Sequence, residues 1–256
     1  MDDVIERAVM RVIEDIQQNF GEQITIDDMA HTAMFSKFHF SRVFQRVTGL
    51  SPGRFLSAVR LREAKRLLAS TSLNIAYISH QVGYSSVGTF SSRFTRSVGL
   101  SPSRYRQVLG VSGRSLVGGA SRSRGGGGTA TVHGTVTSPL PDRPVFAGMF
   151  VGQLLEGKPA SYTVLSRPGP FVMDDVPAGH WYLLAQSVAE GCDDAVNLPP
   201  GAEGSLCVAR RGPIAVGEHG DTHRADITLR PMSSFDPPHL LALRDVLSAW
   251  NQEGGG

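Results

Sequence analysis

The chain has 256 residues, 41% of them apolar, a formal net charge of +2 and two cysteines. That is enough chain for two domains of ordinary size and enough apolar material to bury a core in each, which excludes a disordered polymer. Cys192 and Cys207 lack CxxC spacing, so neither a cysteine zinc site nor a disulfide framework is expected, and both are read as reduced thiols.

The first residues, MDDVIERAVMRVIEDI, set charges among apolar positions. They resemble neither a signal peptide nor a membrane span, so a cytoplasmic protein with no membrane partner is expected. Val4, Ile5, Ala8, Val9, Val12, Ile13 and Ile16 recur at helical spacing, with Gly21 after the end. Thr25 with Asp28 predicts the cap of a short helix running through His31. A third helix is expected from Ser36 to about Thr48, with Phe40, Val43, Phe44 and Val47 buried and Gly49 as its left-handed stop. Ser51, as cap, and Pro52, at the first helical position, then open a long helix. Asn74 caps a short helix through Val82, Gly83 makes a turn, and Ser86 to Val98 forms the next helix. Gly99 and Ser101-Pro102 repeat the stop and restart.

The second set of elements is a copy of the first. Phe40 to Phe55 and Phe90 to Tyr105, aligned at a constant offset of 50, share nine identities. Two copies fall short of the three or more that a solenoid requires, so the repeat reads as paired functional modules. A short helix, a turn and a second helix with polar residues opposite its buried stripe make a helix-turn-helix, whose second helix enters the DNA major groove. The bridging helix, Pro52 to about Ala69, would be about 27 Å long at 1.5 Å per residue. That could set the two reading helices about one DNA turn apart, roughly 34 Å.

Charge supports the same reading. Residues 1–125 carry net +8 and residues 126–256 net −6. Between His31 and Arg124, Glu63 is the only acid among 15 basic residues, which suits a polyanionic partner.

These residues resemble the bipartite DNA-binding domain of AraC/XylS-type regulators over about Val4 to Gln107. The most specific stretch is IAYISHQVGYSSVGTFSSRFTRSVGLSPSRYR, with its Gly-Tyr turn, Phe-Ser, Arg-Phe and Gly-Leu-Ser-Pro. Met34 departs from the pattern, standing where the second unit has Gly83, and leaves the first turn's geometry open. The resemblance implies seven helices and base contacts from Phe38, Ser41 and Arg42 on the first reading helix. On the second it implies Val87, Gly88, Thr89, Ser91 and Ser92. Arg42 can bond bidentately to guanine, whereas the small and hydroxyl groups of the second helix suit methyl contacts and shape readout. Lys37, Arg46, Arg54, Arg93, Arg96, Arg104 and Arg106 are candidate phosphate contacts, an idle surface charge being the alternative for each.

Residues 111–128 are rich in Gly, Ser and Arg and read as a flexible linker. From Thr129 to Leu229 the runs TATVHGTVT, VFAGMFVG, SYTVLS, PFVMDDV, HWYLLAQSV, LCVAR, PIAVG and RADITLR read as seven or eight strands of an antiparallel sandwich. HGTVTSPL, FVMDDVPAGHWYLLAQ and ADITLRP resemble the prealbumin-like, carboxypeptidase regulatory-like domains, including a Val-Pro-Ala-Gly-x-Trp-Tyr hairpin. Asp236 to Trp250 reads as a short amphipathic helix packed on the sandwich or a partner.

The fold class expected is therefore multidomain: an all-α N-terminal domain (1–110), the linker (111–128) and an all-β antiparallel sandwich (129–250). Glu218, His219, Asp221 and His223 share a loop but match no metal-ligand spacing, and His180 with Trp181 is more simply hairpin and core than pocket. Arg210 and Arg211 could lower the pKa of Cys207 if close to it. No catalytic set stands out, and no cofactor or metal is expected. The function expected is a sequence-specific DNA-binding transcription factor with a sensory or self-association domain. A constitutive DNA binder with an interaction module, or an enzyme with a helical accessory domain, are the alternatives. Expected partners are double-stranded DNA, RNA polymerase, a small-molecule effector and a second copy of the chain.

Overall fold

In the computed structural model the residues described are 2–109, 122–123, 130–188, 206–217 and 220–240. Helix α1 (Asp2–Asn19) buries Val9, Val12, Ile13 and Ile16 completely, as its periodicity requires. Thr25 caps α2 (Ile26–Ala33): the Asp28 amide donates to its Oγ1 at 3.2 Å, and the Thr25 amide donates back to Asp28 Oδ2 at 2.8 Å. This reciprocal pair satisfies two otherwise orphaned N–H groups. Thr25's hydrogen bonds hold the Asp28 carboxyl below its ordinary pKa, the side-chain bond most strongly.

The other helices are α3 (Lys37–Thr48), α4 (Pro52–Ser70), α5 (Ile75–Gln81), α6 (Val87–Val98) and α7 (Pro102–Leu109). Gly49 and Gly99 end α3 and α6 at φ 81° and 90°, each amide returning to the carbonyl four residues earlier, a conformation open to glycine without steric cost. Asn74 and Ser86 cap α5 and α6 through side-chain oxygens. The expected serine cap of α4 is corrected: Ser51 is extended but its side chain makes no cap bond. Pro52 begins that helix instead, with φ already helical and no N–H to satisfy.

Each repeat closes around three rings in contact, tilted or edge-on to one another. Phe40, Phe44 and Phe55 have successive centroids 5.4 and 5.5 Å apart, and Phe90, Phe94 and Tyr105, each 50 residues later, lie 5.6 and 5.7 Å apart. All six are buried. The third ring of each set begins the next helix, so the restart after Gly-Leu-Ser-Pro is fastened to the reading helix by edge-to-face packing.

Residues 114–233 form a separate compact unit. Its larger sheet runs β1 (Arg122–Ser123), β4 (Ser161–Leu165), β3 (Val145–Phe150), β6 (Gly179–Val188), β7 (Leu206–Val216), β10 (Arg230–Pro231), all antiparallel. The smaller holds β5 (Pro170–Val176), β2 (Ala130–Thr137) and β8 (Thr222–Arg224), with β9 (Ile227–Thr228) also on β2. Val132, Met173 and Val176 from one sheet meet Ala147, Met149, Leu183 and Cys207 from the other in a common core.

Four expectations change here. The sheets are not wholly antiparallel, since β8 and β9 run parallel to β2. RADITLR is not one strand: Ala225 crosses so close to Gly134 that a Cβ there would lie 2.5 Å from the Ala225 carbonyl, and Asp226 turns to accept from the Thr135 amide. LCVAR and PIAVG are one strand, β7, continuing through Gly212 and Pro213. The Val-Pro-Ala-Gly-x-Trp-Tyr segment is no hairpin, because β5 and β6 belong to different sheets and Trp181 Nε1 pins the corner by donating to the Pro177 carbonyl at 2.7 Å.

The expected linker is not featureless either: Arg122–Ser123 pair with β4, whose edge would otherwise leave backbone groups unpaired. Residues 234–240 belong with the helical unit instead of the sandwich. Ser234–Leu240 is non-helical there. Phe235 packs on the core of α1–α4, and buried Lys65 of α4 donates to the Leu240 carbonyl at 3.0 Å. The rest of the expected tail helix, 241–250, lies outside the described residues.

Candidate nucleic-acid interface

The reading helices α3 and α6 bury matching positions, Phe40 and Phe44 against Phe90 and Phe94. What they leave outside also matches. Phe38, Arg42 and Arg46 recur every four residues on α3, and Gly88, Ser92 and Arg96 do so on α6, each pair 50 apart and all exposed. Ser41 and Ser91, another such pair, are half-buried beside these stripes, as is Val87, while Thr89 and Arg93 are exposed. The nominated base-contact positions are thus gathered on two equivalent helix faces.

The chemistry of the two faces differs. Phe38 is 85% exposed, an apolar ring held in solvent beside a guanidinium one turn on. The α6 face offers no side chain larger than Arg96 or Arg93 at its far end and only Gly88, Thr89 and Ser92 near its start. The Thr89 hydroxyl accepts from Ser86 Oγ at 3.2 Å.

Both turns into these helices have one geometry. Met34 adopts φ 59°, ψ 36°, and its amide reaches the His31 carbonyl at 2.9 Å while Phe35 reaches Ala30 at 3.0 Å. Gly83 at φ 85° reaches His80 and Tyr84 reaches Ser79, each at 3.0 Å. The open question at Met34 is settled: a methionine occupies the left-handed turn, its side chain 84% exposed.

Among the phosphate candidates, Arg46, Arg54, Arg93, Arg96 and Arg104 are exposed, with Arg54 and Arg104 at equivalent places in the first turns of α4 and α7. Lys37 pairs with Asp27 at 2.9 Å in the open. Arg106 is corrected. It is half-buried, donating to the Leu73 carbonyl at 2.6 Å and the Leu68 carbonyl at 3.4 Å, so it closes the end of α4. Glu63, the lone acid of the basic stretch, is neutralised by Arg66 through three contacts of 2.6 to 2.9 Å.

Sequence reasoning passed over Arg60. It donates to the Phe20 carbonyl at 2.7 Å and the Glu22 carbonyl at 2.6 Å, and its guanidinium lies 5.9 Å from the Tyr84 ring centre. The signal was present: in the stripe Leu56, Arg60, Ala64, Leu67 it is the one charge.

In the second unit, Cys207 is 1% exposed, and burial pushes its thiol pKa up. Strand alternation turns Arg210 to the opposite face, and Arg211 donates to the Asp226 carbonyl at 2.6 Å, so the suggested lowering by nearby arginines is corrected. Asp221 is exposed and His223 half-buried on β8. Glu218, His219 and Cys192 lie outside the described residues, and among those described no metal-ligating group of three occurs. His180 is exposed, while Trp181 packs on the sandwich core. No helix of the described residues is long and apolar enough to cross a membrane.

A family model described as a helix-turn-helix domain matches residues 29–108. The HTH-type transcriptional activator AarP of Providencia stuartii is 32% identical over 91 residues, covering 36% of this chain and 67% of AarP. The chain belongs to the AraC-type helix-turn-helix transcriptional regulators. Another such relative, the lactose operon transcription activator of Staphylococcus xylosus, is 30% identical over 112 residues, 44% of this chain and 40% of its own length. The chain spans 35% to 40% of the length of that protein and of two further curated relatives. A probable AraC family regulator from Rhodopseudomonas palustris is similar in structure, at 30% identity over 40% of this chain and 97% of that one, TM-score 0.38. The DNA-binding domain of AdpA, solved with a target DNA, covers 40% of this chain and 93% of its own at 26% identity, TM-score 0.39. As an AraC-type regulator the chain has its matched region at the N-terminal end, ahead of a β-rich unit of its own.

Proposed function

We propose that the chain is a sequence-specific DNA-binding transcription factor, not an enzyme, which lays α3 and α6 into two successive major grooves. The observation that carries this reading is the pair of equivalent exposed stripes, Phe38–Arg42–Arg46 and Gly88–Ser92–Arg96, on helices held by corresponding turns and corresponding ring clusters. Arg42 supplies bidentate donors for guanine and Phe38 an apolar surface for a thymine methyl, so α3 reads bases directly. Gly88, Thr89, Ser91 and Ser92, beside Val87, let the backbone of α6 approach closely and read shape more than base edges. Lys37, Arg46, Arg54, Arg93, Arg96 and Arg104 hold phosphates and set register.

The division of labour follows: residues 1–110 bind DNA, and the sandwich senses an effector or brings two copies together, with RNA polymerase as a further partner. Such a protein works at the nucleoid, in the cytoplasm. The test is selection from random duplex DNA by the full-length protein and by Arg42→Ala. Two enriched elements about one helical turn apart, with the mutant relaxed at the first element alone, is the expected result. Binding that enriches no sequence and only fades with salt would reduce the activity to general polyanion affinity.

A further inference from the structure

A rod such as α4 sets the distance between two reading helices but does not by itself fix their rotation about its axis. Something must hold the first motif against the second. At one corner the connection from α1 to α2, the middle of α4 and the turn from α5 to α6 converge. Arg60 stands at the centre. Its Nε and one terminal nitrogen donate to the carbonyls of Phe20 and Glu22, just past the end of α1, where carbonyls lack helical partners and a cation is favoured. Its other side faces the second motif: a Cβ on Gly83 would lie 2.8 Å from its guanidinium carbon, and the Tyr84 ring lies over it. Ser57, one turn before Arg60, holds the Tyr84 hydroxyl at 3.3 Å. Beside it the two motifs touch directly, since a Cβ on Gly21 would lie 2.8 Å from the Gln81 carbonyl oxygen.

We infer that Arg60 is a positioning residue for DNA reading: it clasps the α1–α2 connection to the α5–α6 turn, and so sets the spacing between the two DNA elements that the chain accepts. Its planar fork meets two carbonyls while its face packs under a glycine and a tyrosine, a combination the lysine ammonium cannot reproduce. Gly83, at φ 85° in the left-handed turn, also leaves space for the guanidinium, and Gly21 lets the Gln81 carbonyl come close.

This inference rests on the two-groove reading, and the experiment separates the two. The full-length protein is titrated with duplexes carrying both selected elements at the selected spacing, both with two base pairs inserted or removed between them, or the first element alone. Wild type is expected to lose about tenfold or more in affinity when the spacing changes, because a preorganised pair of helices cannot follow. Arg60→Ala keeps affinity for the single element within about threefold, yet discriminates between spacings by less than about threefold. Arg60→Lys behaves like the alanine variant, although a simple phosphate charge at this place would be rescued by lysine. Gly21→Ala, which leaves Arg60 intact and presses on the Gln81 carbonyl, shifts the preferred spacing or flattens it. Retention of the full spacing discrimination by both Arg60→Ala and Gly21→Ala overturns the clasp while leaving the two-groove reading standing. Wild-type protein indifferent to the second element overturns that reading, and the clasp with it.

Discussion

Met34 shows what one residue can tolerate in this fold. A side chain in the left-handed region costs about 1–2 kcal/mol, and with Met34 mostly in solvent there is little packing to offset it. Met34→Gly is therefore expected to stabilise the first motif by up to about 1 kcal/mol, and Met34→Val to destabilise it by more, read from hydrogen exchange of the α2 and α3 amides in the whole protein. At this scale the sequence displayed the exposed stripes of α3 and α6, because every fourth position opposite a phenylalanine pattern must face outward. It did not display that Arg106 turns onto the Leu68 and Leu73 carbonyls, nor that Arg60 faces inward. Each of these bonds joins residues more than 30 apart, so a local pattern can mark Arg60 as the one charge in an apolar stripe but cannot name its partners.

Among the elements, the ring clusters explain why a helix-turn-helix here always ends in Gly-Leu-Ser-Pro and an aromatic: the motif is complete only when the next helix brings its ring. Phe94→Ala opens a void in the middle of the second cluster and is expected to cost about 3–5 kcal/mol, seen as lost protection in α6 and α7 with α1 to α3 unchanged. The segment Ser234–Leu240 is an element the sequence misassigned. Its His239 is pushed down to about 4 by burial, with Lys65 of α4 adding to the effect and Asp236 opposing it. The folded imidazole is thus neutral while the unfolded one takes up a proton near 6.5, so stability falls as pH drops below 6.5 and levels off below about 4. The loss by pH 5 is about 2 kcal/mol. Denaturant titrations at pH 7 and pH 5 should show it, and His239→Gln should remove it. The strands show the complementary failure: RADITLR reads as one alternating run, yet it breaks at Ala225, which crosses close against Gly134 of β2, and again at Leu229, where the chain passes from β2 to β7.

For the whole molecule, the separation of charge matters first. The basic half carries the reading helices, so affinity for DNA should fall steeply with salt. Six phosphate contacts imply a slope of about −5 in log affinity against log salt concentration, and Arg54→Ala should flatten it by about one without altering the selected sequence. The return of the chain to the helical unit makes a second prediction. A protein ending after Leu241 keeps the Leu240 carbonyl for Lys65, whereas one ending after Ser233 loses that charge-assisted bond and Phe235. The shorter protein should have a helical unit less stable by about 2 kcal/mol or more and weaker DNA binding, although its sandwich strands are intact. The sequence by itself determined the seven helices, their stops and, apart from Ser51, the caps it named, with the repeat and the outward stripes, because these depend on residues within a turn or two of each other. Only the tertiary structure decided the change of sheet before Trp181, the break in the strand at Ala225, the inward turn of Arg60 and Arg106, and the burial of Lys65 under Leu240. In each of these a backbone carbonyl or a missing Cβ supplies the partner, for all but Trp181 from a distant part of the chain, and backbone atoms carry no sequence signature.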